Sequence, residues 1–229
     1  MIPRPPDPLI VALDLSDLER AEALATALAP HAGMLKVGLE LFTAFGRDAV
    51  TRIARHGPVF LDLKLHDIPH TVERAAENIA GMGVSMLSVH ALGGDRMVAA
   101  AVRGATRGAQ AFSPSAAVPR VVAVTALSSL SGEELASAAS LAFEAMTAGA
   151  SGVVASGDDV RAIREACGEE LCVVVPGIRP SGSDGADQVR TLTPLAAQEK
   201  GADYIVVGRP IIESADPPAA ARSILLELR

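Results

Sequence analysis

Short apolar runs recur along the chain at residues 9–13, 34–37, 59–63, 86–89, 121–124, 152–155, 171–175 and 204–207. Most are rich in Val, Ile or Leu and lack the strict polar alternation of a half-exposed strand, as strands covered on both faces should. Helical signals fill the gaps between them. Ser16 and Glu19 have the spacing of a capping box, and Leu18, Ala21, Ala25 and Leu28 follow on one helical stripe. Ser131 and Glu134 repeat that spacing ahead of Leu135, Ala138, Ala142 and Met146. Thr193-Pro194 and Asp216-Pro217 each read as an N-cap followed by proline at the first helical position. Gly57, Gly83, Gly149, Gly168 and Gly201 fit helix C-terminal stops.

Eight strand–helix alternations in 229 residues predict a single-domain α/β chain, a (β/α)8 TIM barrel over residues 1–229 with 1–8 as a short N-terminal arm. A doubly wound open sheet is the alternative, and a Gly-rich turn after the first strand would favour it. That turn reads Leu13-Asp14-Leu15-Ser16, and neither GxGxxG nor a P-loop occurs anywhere. The Ser/Pro/Ala segment 113–119 precedes a strand and so belongs on the stability face of a barrel.

Composition narrows the partners. Hydrophobic residues make up 49% and charged residues 21%, which excludes a disordered or fibrous chain. Aromatics are 3% with no Trp, so stacked platforms for nucleic acid are absent. A net charge of −7 argues against binding a phosphate backbone or an anionic membrane, and any bound anion must be gripped locally. Cys167 and Cys172, with no neighbouring Cys or His, read as reduced thiols rather than a disulfide framework or zinc site. The opening MIPRPPDP lacks a signal core and no apolar run approaches a membrane span, which predicts a cytoplasmic protein.

Polar side chains then gather where a barrel keeps its site, at the C-terminal ends of the strands. Asp14 closes the first, Lys36 lies near the end of the second, Asp62 and Lys64 close the third, His90 the fourth and Thr125 the fifth. Strand three is the sharpest. Alternation puts Phe60, Asp62 and Lys64 on the inward face, with Asp67 adding a second carboxylate before Pro69. Ionisable groups so clustered have coupled protonation states and mark a candidate site; a rim salt bridge that only fixes the strand is the bland alternative.

After strand seven, Pro176-Gly177-Ile178-Arg179 runs into a long Gly/Ser/Asp loop containing Asp187 and Gln188, which reads as a mobile lid or a plain surface loop. After strand eight come Gly208, Arg209 and Pro210. These two loops are the usual phosphate grip of such a barrel, and guanidinium matches phosphate geometry. A phosphorylated small molecule is therefore the expected ligand. The other histidines carry less: His31 and His56 sit at helix ends, while His66 and His70 flank the charged motif.

Asp62-Leu-Lys64-Leu-His-Asp67-Ile68-Pro69, with Ala12-Leu13-Asp14, Lys36-Val37-Gly38, Pro176-Gly177-Ile178-Arg179, Asp187-Gln188 and Val207-Gly208-Arg209-Pro210-Ile211, resembles the orotidine 5′-phosphate decarboxylases along essentially the whole chain. The DxKxxD core is shared with related sugar-phosphate enzymes; the later segments are more specific. His70 departs from the Asn common there in the family. The resemblance implies a homodimer that converts orotidine 5′-monophosphate to UMP and CO2 without cofactor or metal. It implies that Lys64 protonates C6 of the pyrimidine and that Asp62 sits against the departing carboxylate. Lys36 and Asp67 would complete an alternating charge chain, with Asp67, Ile68 and Thr71 reaching in from the partner subunit. Asp14, Lys36 and Thr71 would hold ribose hydroxyls and Thr125 the pyrimidine; Pro176 would also contact substrate. Arg179, Gln188, Gly208 and Arg209 would hold phosphate.

Two rival readings remain at this point. A magnesium-dependent sugar-phosphate decarboxylase or aldolase of the same suprafamily would carry a carboxylate, not Lys36, near the end of strand two, since an ammonium repels the ion. A non-catalytic phosphate-binding barrel would need the arginines but neither Asp62 nor Lys64.

Overall fold

The computed structural model describes residues 7–113, 115–125, 137–180 and 192–228. Eight parallel strands close into a barrel in sequence order: β1 (Leu9–Ala12), β2 (Met34–Gly38), β3 (Val59–Leu65), β4 (Met86–His90), β5 (Arg120–Val124), β6 (Gly152–Val154), β7 (Cys172–Val175) and β8 (Tyr204–Val207). Leu9, Ile10 and Val11 pair with Ile205, Val206 and Val207, which completes the ring.

Strand alternation sorts the apolar side chains into two cores. Ile10, Phe60, Met86, Val122, Val174 and Tyr204 are among those filling the barrel interior. Their neighbours Leu9, Leu61, Leu87, Val121 and Val173 face outward into a larger layer beneath the helices. Burying a side chain of this size contributes about 1.5–3 kcal/mol, so both layers favour one register over a slip. Both cysteines are free, and Cys172 is buried in the interior core. Burial, then the nearby Asp203 carboxylate, push its thiol up to about 11, which keeps it protonated and inert.

The helices are α1 (Leu18–Leu28), α2 (Leu39–Phe45), α3 (Arg47–Ile53), α4 (Pro69–Ala80), α5 (Gly94–Phe112), α6 (Ala138–Thr147), α7 (Val160–Cys167), α8 (Pro194–Glu199), α9 (Arg209–Ile212) and α10 (Pro217–Glu227). The simple count of one helix per strand is exceeded for two reasons. Gly46, at φ 56°, breaks the segment after β2 into α2 and α3, and α9 forms directly after β8. The expected caps at Thr193 and Asp216 are present, each side chain accepting a backbone N–H of its helix.

Ser16 does not cap α1. The helix starts one residue later, and Asp17 accepts the Arg20 N–H at 3.1 Å instead. Ser16 donates to Glu40 at 2.9 Å, and Glu19 is drawn to Arg52, so neither half of the capping box is available. The second expected box, at Ser131 and Glu134, lies outside the described residues. Gly83, Gly149, Gly168 and Gly201 have the positive φ of helix stops; Gly57 does not.

The helix that follows the charged strand is held closely. A Cβ on Gly104 or Gly108 of α5 would lie 2.1 Å from a carbonyl oxygen of α4, so only glycine allows that approach. Arg103 and Arg107 of α5 then pair with Glu73 and Glu77 of α4. This fixes α4 and, through Pro69, the chain that leaves β3.

Candidate active site

A cavity of about 600 Å³ opens at the C-terminal ends of the strands. Asp14, Lys36, Asp62, Lys64, Pro176, Arg179, Gly208 and Arg209 all line it, so most of the residues singled out in the sequence converge there. Gln188 and the expected lid lie outside the described residues.

Four of these side chains form a row of alternating charge. Lys36 Nζ lies 2.8 Å from Asp14 Oδ1 and 3.7 Å from Asp62 Oδ2, and Lys64 Nζ donates to that same Asp62 oxygen at 2.8 Å. Lys36 and Asp62 are buried, whereas the Asp14 side chain is 44% exposed. Burial alone would raise the Asp62 carboxyl. The charges of Lys36 and Lys64, with hydrogen bonds from Lys64 and Ser88, outweigh it and hold Asp62 below the usual carboxylate range. Asp62 is thus an anion at neutral pH, with two ammonium groups held against it.

The backbone around this pair is irregular. Leu61 pairs with Leu87 and Leu65 with Val89, so β3 inserts extra residues across Asp62–Lys64 relative to β4. Within that bulge Lys64 takes φ 51°, the one non-glycine residue at positive φ among those described. A non-glycine residue held there is strained by about 1–3 kcal/mol and persists only when its surroundings hold it. Simple alternation therefore predicts the right face for Lys64 through the wrong backbone.

Three residues at or beside the cavity were not singled out as site residues from the sequence. A Cβ at Gly38 would lie 2.4 Å from Asp14 Oδ1 and 2.7 Å from Lys36 Nζ, so this glycine is what lets the two charges meet. Glu40 and Glu213 also line the mouth, Glu40 from the first turn of α2 and Glu213 from the residue that ends α9. Only Glu40, two residues past β2, carried a positional signal.

Four expected site residues lie elsewhere in this chain. Asp67, Ile68 and Thr71 are exposed and outside the cavity, with Ile68 66% exposed. The Asp67 carboxylate accepts the Ile68 N–H at 2.7 Å. Thr125 is buried, is not among the residues lining the cavity, and donates to the Val154 carbonyl at 3.3 Å. His90 stacks on His66 with centroids 5.1 Å apart; burial first, then His66 and Lys64, keep it below the usual histidine range and hence neutral.

Among the described residues no three His, Cys, Asp or Glu gather as a candidate metal site, and no helix is long and apolar enough to cross a membrane.

The family model of orotidine 5′-phosphate decarboxylase / HUMPS matches residues 7–224. The orotidine 5′-phosphate decarboxylase of Moorella thermoacetica is 49% identical over 97% of this chain and 92% of that protein. That of Anaeromyxobacter dehalogenans is 49% identical over 96% of this chain and 98% of that one. Among solved structures, orotidine 5′-phosphate decarboxylase from Lactobacillus acidophilus superposes with TM-score 0.83 at 36% identity, covering 97% of this chain and 99% of that chain.

Proposed function

The chain belongs to the orotidine 5′-phosphate decarboxylase / HUMPS family and decarboxylates orotidine 5′-monophosphate to UMP and CO2 in pyrimidine biosynthesis; we propose that Lys64 is the group that protonates the product carbon. The observation that carries this reading is the row Asp14–Lys36–Asp62–Lys64, which ends on an ammonium at the cavity surface.

The chemistry asks for such a group. When the C6–carboxylate bond breaks, its electron pair stays on C6, in the plane of the pyrimidine, where no ring position can delocalise it. The Lys64 ammonium offers a fixed positive charge to that pair and then transfers a proton to it, leaving a neutral amine. Asp62 holds the ammonium in place, so little reorganisation is needed as charge develops. The same carboxylate opposes that of the substrate, an opposition that ends as neutral CO2 departs. Lys36 keeps Asp62 ionised and, with Asp14, faces the ribose hydroxyls.

The phosphate is assigned to Arg179, Gly208 and Arg209, which line the cavity, and to Gln188, which lies outside the described residues. Pro176, which lines the cavity, is assigned to substrate contact, and Thr125 to the pyrimidine. Enzymes lower barriers by roughly 8–23 kcal/mol, and a carbanion of this kind needs the upper part of that range. Phosphate binding remote from C6 is a source of some of it.

A homodimer completes the reading. Asp67, Ile68 and Thr71 are exposed and outside their own cavity, and Leu39 and Leu92, which follow β2 and β4, are exposed as well. Carried to a two-fold partner, Asp67 extends the charge row while Ile68 and Thr71 contact substrate. We read the chain as one cytoplasmic barrel domain that works without cofactor or metal. Lys36, which pairs with Asp14, stands where the metal-dependent relatives need a carboxylate.

Orotidine 5′-monophosphate mixed with purified protein in EDTA should lose its pyrimidine absorbance with release of one CO2 per UMP. Loss of turnover in EDTA and its return with Mg2+ would place the chain with the metal-dependent enzymes instead.

A further inference from the structure

Ser88 lies in the middle of β4, 1% exposed, with the same inward parity as Met86 and His90. Its hydroxyl makes two contacts with the strand beside it. It donates to Asp62 Oδ1 at 2.7 Å and accepts the Lys64 backbone N–H at 2.9 Å. Lys64 Nζ takes the other Asp62 oxygen at 2.8 Å. One buried hydroxyl therefore touches both members of the reacting pair, the carboxylate through its side chain and the lysine through its main chain.

The bulge explains the need for it. Between Leu61 and Leu65 the β3–β4 ladder is interrupted, so a backbone N–H there loses its regular partner. A buried unpaired N–H is unfavourable, and the left-handed φ of Lys64 is unfavourable again. Ser88 supplies an acceptor at the point of interruption. A hydroxyl has one proton and lone pairs to spare, so giving the proton to Asp62 leaves it able to accept from Lys64. An aliphatic residue at this place could do neither.

We propose that Ser88 is a positioning residue for the decarboxylation. It sets the Asp62 carboxylate and the strained Lys64 backbone together, so that the ammonium meets C6 without searching for its place. The proposal rests on reading Lys64 and Asp62 as the reacting pair. It also bears on the charge state of Asp62, which faces Lys36 from β2, Lys64 from its own strand and Ser88 from β4, with Asp14, just past the end of β1, beyond Lys36. Of these Ser88 alone is neutral, so its loss removes a hydrogen bond without changing the net charge.

The test compares wild type, Ser88→Ala, Ser88→Thr and Lys64→Ala with orotidine 5′-monophosphate across pH. Ser88→Ala should stay folded, with a melting temperature lowered by the unpaired Lys64 N–H, and lose about 10- to 100-fold in kcat, the worth of a hydrogen bond to a charged group. KM should change by no more than about threefold, because the loss falls on the bond-breaking step. The acid limb of the pH profile should move to higher pH, since Asp62 without its donor protonates more readily. Ser88→Thr, which keeps the hydroxyl, should recover most of the rate and the limb. Ser88→Cys keeps the volume with weaker hydrogen bonds, and should show the same changes in lesser degree if Ser88→Ala does not fold.

Wild-type kcat with an unmoved acid limb in folded Ser88→Ala would overturn the proposal, as would a loss confined to KM or one that folded Ser88→Thr does not repair. Lys64→Ala separates this from the parent reading. Substantial turnover by Lys64→Ala removes the reacting pair itself, whereas inactive Lys64→Ala beside fully active Ser88→Ala removes only the role of Ser88.

Discussion

The β1 to β3 side of the barrel meets the cavity with four charged side chains of alternating sign, whereas β6 to β8 meet it with Val154 and Val206 and leave their charge to the residues beyond the strands. On the first side Lys36 and Asp62 are buried and each charge is held by the next. On the second, Arg209 is exposed and Arg179 half-buried. Charges fixed in a low-dielectric wall act on a charge that develops during reaction, because they need not reorganise when it appears. Arginines at a rim suit a phosphate that is ionised from the start and keeps its charge throughout. On the proposed reading, rate belongs to one wall and capture to the other.

The sharpest way to break that division is Lys64→Ala. It removes both the cation and the proton donor, and kcat should fall by roughly 10⁴ or more while the melting temperature holds, since the side chain is outside the packed layers. Near-normal turnover by the folded variant would end the assignment of rate to this wall.

Arg209→Ala probes the other wall and should lower kcat/KM for orotidine 5′-monophosphate by about 100-fold, with kcat falling too if phosphate binding drives closure. Orotidine, which lacks the phosphate, should be a poor substrate for wild type and nearly indifferent to the change. Equal fold losses on both substrates would mean that Arg209 does something other than hold phosphate.

The smallest effect concerns Asp67, which belongs to the charged side in sequence but not to its own cavity. Inactive Lys64→Ala and Asp67→Ala proteins, mixed, dissociated and reassociated, should regain about a quarter of wild-type activity. Half the dimers would then be hetero, each with one site built from unmutated Lys64 and Asp67. No recovery despite proven subunit exchange would return Asp67 to its own chain and make any dimer structural only.

Much of this was legible from residue pattern because buried parallel strands advertise themselves. The run 204–207 matches β8, and the other strands differ from their apolar runs by a residue or two at the ends. Where polar residues continue a strand the hydrophobic signal stops early, which is why β3 extends to Leu65 beyond the apolar edge at Leu63. Asp14, Lys36, Asp62 and Lys64 stood out as charges in apolar strands. Ser88 did not, because a lone serine in a strand is commonplace and its importance depends on a bulge in the neighbouring strand. Ser16 misled because the box spacing was met while Asp17, next to it, was an equally good cap. Gly38 was visible only as part of a motif, since its reason is the space taken by the Asp14 and Lys36 side chains.

The pairing of β1 with β8 has a consequence for how the enzyme comes into being. As the chain is synthesised, Asp14 is in place long before Arg209 exists, and β1 presents an open edge until β8 arrives to cover it. Loop closure over such a span costs little more than over half of it, about 0.6 kcal/mol per doubling, but it must precede the contacts that repay it. If Asp14 and Arg209 hold the two ends of the nucleotide as proposed, no nascent fragment that stops short of β8 can bind both. A ligand touching Asp14 and Arg209 bridges the barrel's last seam, and by binding only the closed form it acts as a clasp on the finished fold.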